Sequence, residues 1–303
     1  MAIDLGADAI EPDVVASSDG VLVLRHDNEL SKTTDVADRK EFASRRTSKV
    51  IDGKKYTGWF TEDFTWAELQ RLKVRERLPK LRSKSFDDRE GILRLSEVFD
   101  LVEKANVKLV VEIKHATYFA SIGLPMDDLL ANEIAGSEWE QSTELTIECF
   151  ETTILRKLSA RGFKAKTVFL IESSGFPADE VARLGKQARS FEYFTTNEGL
   201  TELASDGIDG IGVDKQLLLR KDKAGKVLGV TDLVKRAHSA GLLVYCWTLR
   251  AENAFLAKNL QTGGGDRQFG QWREEFSLLM NSGLDGVFAD QPDLALEVRN
   301  SLK

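Results

Sequence analysis

The chain has few of the residues that build cross-linked or thiolate-ligated folds. Its 303 residues include only two cysteines, Cys149 and Cys246, each in an apolar run. That excludes a disulfide framework and a cysteine zinc site, and both thiols are expected in the core. No apolar run approaches the length of a membrane span. The first residues, Met1-Ala2-Ile3-Asp4-Leu5-Gly6, lack the basic and apolar regions of a secretory signal. Basic charge is also short: 42 Lys and Arg stand against 49 Asp and Glu, a net charge of -7. A general nucleic-acid binder would carry a basic face, so that class is disfavoured, while a local basic pocket for phosphate stays open. The Lys- and Arg-containing piece Arg39–Arg46 is accounted for by a solvated face. What remains is ordinary globular composition, 42% hydrophobic and 30% charged, long enough for two average domains or one large α/β barrel.

Short apolar runs alternate with amphipathic stretches. The runs are Ala9–Val15, Lys108–Ile113, Leu145–Cys149, Thr167–Ile171, Gly210–Val213, Leu243–Trp247 and Gly286–Ala289. They are rich in Val, Ile and Leu, as strands buried on both faces are. Helical spacing marks Ser96–Ala105, Thr152–Arg161 and Asp232–Ala240, the last two followed by Gly162 and Gly241 as C-terminal caps. The steps Gly6-Ala7-Asp8, Gly207-Ile208-Asp209-Gly210 and Gly283-Leu284-Asp285-Gly286 each lead into a strand. Serial helix–Gly–strand junctions are the product of repeated βα units. Seven such strands fall one short of a closed barrel of about eight. Met1–Leu5 resembles the last turn of a helix capped by Gly6. The expectation is therefore a TIM-type (β/α)8 barrel over 1–303 lacking its first strand and most of its first helix. Average element lengths put that deficit at roughly 25 to 40 residues. Residues 28–94 break the rhythm; with Trp59, Phe60, Phe64 and Trp66 they are expected to form a small folded insertion, a hairpin or mixed subdomain. Thr262–Arg267 is expected to be a mobile surface loop rather than a phosphate cradle.

The densest chemistry lies near the start. In Glu11-Pro12-Asp13 two carboxylates one residue apart point the same way on an extended segment. Val110-Val111-Glu112-Ile113-Lys114 repeats the spacing with an acid and a lysine. A lone pair of this kind is usually a salt-bridged strand end. Two pairs on adjacent buried strands are costly without a metal or partner. Glu11, Asp13 and Glu112 can surround one hard cation with oxygen ligands, with Lys114 as a point charge for phosphate. His26, one of three histidines, follows the strand-like Val21–Leu24 and becomes a candidate general acid beside this cluster. His115 has no evident role, and His238, in a helix before Gly241, is expected to be structural.

Residues 6–39, from Gly6-Ala7-Asp8-Ala9-Ile10-Glu11-Pro12-Asp13 through Leu24-Arg25-His26-Asp27-Asn28-Glu29-Leu30 to Arg39, closely resemble the glycerophosphodiester phosphodiesterases. Val111-Glu112-Ile113-Lys114 is similar to that family's third-strand signature. Cys149-Phe150, Trp247-Thr248-Leu249-Arg250 and Asp285 to Asp293 match later landmarks, so the resemblance spans essentially the whole chain. It implies a TIM-type barrel that hydrolyses glycerophosphodiesters to glycerol 3-phosphate and an alcohol. It implies one divalent cation, Ca2+ or Mg2+, on Glu11, Asp13 and Glu112. It implies His26 as one of two catalytic histidines, Lys114 near the phosphate, and Phe150 and Trp247 shaping the glycerol side. The family's first strand normally ends in His-Arg-Gly, which this sequence lacks; the expectation is that the second histidine and an arginine clamp lie upstream of Met1. Compartment stays open, cytoplasmic or exported, because any signal would precede that strand.

Three other readings share part of the pattern. A sphingomyelinase or phospholipase D-like barrel shares the Glu-x-Asp and histidine spacing, although Glu112-Ile113-Lys114 and the insertion favour glycerophosphodiesters. The chain is alternatively a catalytically impaired fragment that only binds phosphate ligands, or a fragment without function. The expected partner in the leading reading is a small-molecule substrate, with no nucleic acid and no membrane span.

Overall fold

The structure is a computed structural model and describes residues 1–302. The chain divides into two compact units, one of Ala9–Ala165 and one of Met1–Asp8 with the chain from Lys166 onward.

The first unit carries strands β1 (Ala9–Ile10), β2 (Asp13–Ala16), β3 (Leu22–Leu24), β4 (Thr47–Ile51), β5 (Lys54–Gly58), β6 (Lys108–Ile113) and β7 (Leu145–Cys149). Its main path is β7-β6-β2-β3, and β1 also pairs with β6. β6 is parallel to β1, β2 and β7, whereas β3 turns back antiparallel to β2. The expected single run Ala9–Val15 is interrupted at Glu11-Pro12, because Pro12 has no N–H for the ladder. The Pro12 carbonyl still accepts from the Glu112 N–H at 3.1 Å. The register therefore carries on across the break, from Ile10 opposite Leu109 to Asp13 opposite Glu112. The side-chain alternation that the acids depend on survives.

Helix Leu95–Ala105 buries Leu95, Val98, Phe99 and Val102, one apolar stripe at helical spacing, and ends on Asn106 at φ 52°. Helix Thr152–Ala160 buries Ile154, Leu155 and Leu158. Gly162 follows it at φ 86°, a backbone region that suits glycine. Residues 28–94 hold the β4–β5 hairpin, several short helical turns and their own small core. Phe42 and Phe64 meet edge to face at 5.0 Å, and the Trp59 indole N–H donates to the Phe42 carbonyl at 2.6 Å. Buried Glu62 accepts from Lys49 at 2.9 Å, and both its carboxylate oxygens accept from the Asn28 amide nitrogen, at 3.1 and 3.2 Å.

The second unit carries β8 (Lys166–Ile171), β9 (Gly210–Asp214), β10 (Leu219–Lys221), β11 (Val227–Val230), β12 (Leu243–Leu249) and β13 (Gly286–Ala289). β8, β9, β12 and β13 pair in that order and in parallel, and β10 and β11 form a separate hairpin. The Gly-x-Asp-Gly steps have a physical job here. Asp209, just before β9, accepts from the Thr167 N–H of β8 at 2.7 Å. Asp285, just before β13, accepts from the Val244 N–H of β12 at 2.7 Å and binds His238 Nε2 at 2.9 Å. Each aspartate satisfies a backbone donor on the neighbouring strand, and His238 is tied to that bond. Thr262–Arg267 is held at both ends, since Asn253 Nδ2 donates to the carbonyls of Thr262 (2.8 Å) and Gly265 (3.0 Å). Both cysteines are buried, and neither forms a disulfide. No helix among the described residues is long and apolar enough to cross a membrane.

Candidate active site

The parallel register sets Asp13 directly opposite Glu112. Oxygens of Glu11, Asp13 and Glu112 all lie within 4.8 Å of one another. Lys114, two residues on and just past the end of β6, reaches the same spot. Its Nζ is 2.8 Å from Asp13 Oδ1 and in still closer contact with Glu112 Oε1. It also sits 5.7 Å from the centre of the Phe150 ring, at the end of β7. On the other side β3 runs back along β2, and the Arg25 N–H donates to the Asp13 carbonyl at 3.0 Å. His26 follows at once, its Nδ1 2.9 Å from Asp27 Oδ1. A cavity of about 330 Å³ is lined by Glu11, Asp13, Arg25, His26, Asp27 and Arg77, among others.

The charges in this cluster answer one another. Burial works to raise Asp13, but the charges of Lys114 and His26 outweigh it and hold the carboxyl below its usual range. Burial pushes Glu112 up to about 8, only partly opposed by Lys114. Burial works to discharge Lys114, yet Glu112 and Asp13 hold it protonated above its ordinary value. The hydrogen bond from His26 draws Asp27 down to about 2. Burial lowers Arg25 to about 10, against the charges of Asp27, Asp13 and Glu29. The other two histidines are engaged elsewhere: His115 Nδ1 lies 2.5 Å from Asp52 Oδ2, and His238 is bound to Asp285.

A family model described as the glycerophosphoryl diester phosphodiesterase family matches residues 1–294. The chain belongs to this family. Glycerophosphodiester phosphodiesterase GDPD6 of Arabidopsis thaliana is 30% identical over 307 residues, covering 95% of this chain and 77% of that protein. A crystal structure of a putative glycerophosphoryl diester phosphodiesterase from Silicibacter pomeroyi is similar with a TM-score of 0.65 at 18% identity, over 99% of this chain and 86% of that one. An Oleispira antarctica phosphodiesterase, solved in complex with the product sn-glycerol-3-phosphate, is similar with a TM-score of 0.60 at 15% identity, over 98% and 87%. These structural likenesses support an α/β architecture consistent with a TIM-type barrel. The family's members are phosphoric diester hydrolases.

For this glycerophosphodiester phosphodiesterase family member, Glu11, Asp13, Glu112, Lys114, Phe150 and His26 all lie in the first unit, the acids and Lys114 in direct association. Trp247 is on β12 of the second unit, where its indole N–H donates to the Gly212 carbonyl at 3.0 Å. Sequence reasoning passed over Glu148, Arg25, Asp27 and Arg77. Glu148 had a signal: in Leu145-Thr146-Ile147-Glu148-Cys149 it is a carboxylate inside an apolar strand, as Glu112 is. Arg25 and Asp27 flank His26 and were visible as neighbours. Arg77 had none, because it reaches the cavity from the long segment between β5 and β6.

Proposed function

We propose that this chain hydrolyses glycerophosphodiesters to glycerol 3-phosphate and an alcohol, using one divalent cation held by Glu11, Asp13 and Glu112. The observation that carries the reading is a cluster of three carboxylates and a lysine, of which Glu11 and Asp13 line one cavity together with His26. The donor set suits a hard cation. Oxygens bound to one Ca2+ or Mg2+ at about 2.1 to 2.5 Å lie within about 5 Å of each other, and these three acids meet that limit without rearrangement. Their negative charge exceeds what Lys114 alone neutralises.

When bound, such a cation neutralises the phosphodiester and stabilises charge developing on its oxygens. The remaining roles belong to side chains. Lys114 supplies a fixed positive charge beside the phosphate position. His26, oriented through Nδ1 by Asp27, carries a proton to or from the reacting oxygen through its other nitrogen. A proton matters because an alkoxide is a poor leaving group. Arg25 and Arg77 add positive charge to the cavity wall. Phe150, beside Lys114, shapes the glycerol side.

One observation favours a second reading, binding without turnover. Of the three histidines, His26 is the one that lines the cavity. The test is release of glycerol 3-phosphate from glycerophosphocholine with Mg2+ or Ca2+, with sphingomyelin as competitor substrate. Cation-dependent release supports hydrolysis. Calorimetric binding of glycerol 3-phosphate with no release at high protein concentration supports binding alone, and cleavage of sphingomyelin in preference replaces the substrate assignment.

A further inference from the structure

The strand next to the acidic cluster carries a carboxylate that the mechanism above does not use. Glu148 of β7 is the register partner of Glu112 on β6. Neighbouring residues in register point to the same face of a sheet, so Glu148 is turned toward the side that holds the cluster. The charges that act on it, in order, are those of Glu11, Glu112, Lys114 and Asp13. The residue is 3% exposed, and its Oε2 is fully buried with no hydrogen-bond partner. Buried polar atoms nearly always have a partner, and a carboxylate among other carboxylates needs one most.

Its place relative to the cluster limits what that partner is. Glu11, Asp13 and Glu112 form a group with mutual distances within 4.8 Å, and Glu148 is outside that group. Ligand atoms on one ion at about 2.4 Å cannot lie farther apart than about twice that distance. Glu148 is therefore beside the ion's position without being a direct ligand together with all three acids. A water molecule bound to the ion fills that role: it donates protons outward, and its donor strength rises with the charge of the ion.

We propose that Glu148 is a positioning residue that accepts a hydrogen bond from a cation-bound water, and so favours Mg2+ over Ca2+. The selectivity follows from ordinary coordination chemistry. Mg2+ is small, gives up its waters reluctantly and is held partly through them. Ca2+ readily replaces water with protein oxygens. A carboxylate reserved for water thus helps the hydrated ion more. The proposal rests on the cation site proposed above.

The test is calorimetric affinity for Mg2+ and for Ca2+, with no substrate present, in the intact chain and in Glu148→Gln and Glu148→Met. The near-isosteric Gln variant removes the charge, and Met removes the acceptor. Mg2+ binding is expected to weaken roughly 10- to 100-fold, the usual cost of losing a group that orients a metal's ligands, and Ca2+ binding by less than about threefold. The metal-free melting temperature should hold or rise, since burial already holds the Glu148 carboxyl well above its ordinary value and its replacement removes no favourable charge pairing. The decisive quantity is the Mg2+/Ca2+ affinity ratio in whichever variant folds. A fall in that ratio supports the proposal; an unchanged ratio overturns it, whether both ions weaken together or neither does. If the unaltered chain binds neither ion, the cation site itself is refuted and Glu148 loses its role with it.

Discussion

Lys114→Met tests the electrostatics of the site most directly. The wild-type ammonium is buried, 2.8 Å from Asp13 and closer still to Glu112. Of the charges that act most on Glu148, it is the one that opposes those of Glu11, Glu112 and Asp13. Methionine keeps most of the volume and removes the charge. Breaking a buried ion pair from one side typically costs about 3 to 5 kcal/mol. Spread over a chain of this size, that corresponds to a melting temperature lower by roughly 5 to 15 °C in chelator. Glu112 offsets part of the loss by keeping its proton, which it already holds up to about pH 8. With Lys114 gone that proton is held to higher pH still, so the deficit is larger at about pH 9 than at about pH 7. A saturating divalent cation restores positive charge to the cluster. At about a thousandfold excess over its dissociation constant it contributes about 4 kcal/mol, enough to recover most of the deficit. Because Lys114 also repels a cation, the variant should bind it at least about tenfold more tightly while losing turnover. Scanning calorimetry with chelator and with Mg2+ or Ca2+, beside titration calorimetry, measures each part. An equal loss of stability with and without cation, together with unchanged affinity, would refute the view that lysine and cation neutralise the same carboxylates.

Three further outcomes are expected. Replacing His26 with alanine should lower turnover by about 10²- to 10⁴-fold with little change in cation affinity; turnover within a factor of about three of wild type removes His26 from the chemistry. Glu112, at about 8 when folded against a reference value of 4.5, binds its proton in the folded state over a range where the unfolded chain does not. Its contribution to metal-free stability therefore falls as pH rises from about 4.5 to about 8. A cation must displace that proton, so apparent affinity should rise about tenfold from about pH 7 to about pH 9, and a pH-independent affinity contradicts the assignment. Gly58→Ala would set a Cβ 1.8 Å from Glu29 Oε1, which accepts from the backbone N–H groups of Ser31 (3.0 Å) and Trp59 (3.2 Å). Displacing that carboxylate should cost about 1 to 3 kcal/mol by chemical denaturation; an unchanged midpoint shows that Glu29 moves freely.

Much of the parallel sheet was legible in the sequence because buried strands advertise themselves locally. The expected runs at 108–113, 145–149 and 286–289 coincide with β6, β7 and β13, those at 167–171, 210–213 and 243–247 differ at their ends by a residue or two, and Ala9–Val15 is split in two at Glu11-Pro12. The helix ends before Gly162 and Gly241 were equally local, since both glycines take a left-handed backbone. Strand alternation also sufficed to put Glu11 beside Asp13 and Glu112 beside Lys114 on one face each. Which strands would meet, and at what register, is not a local property. Only the tertiary pairing of Asp13 with Glu112 turned an acid pair and an acid–lysine pair into one cluster. Only it placed Lys114 between the acids and left Glu148, the register partner of Glu112, without a hydrogen bond on its buried oxygen. Arg77 at a cavity lined by His26 is the clearest case, because no periodicity links positions about fifty residues apart. By itself the sequence determined which residues carry charge and which face of its own strand each occupies. The tertiary structure decided which of those charges must answer one another, because that depends on long-range register and on how far each group is removed from water.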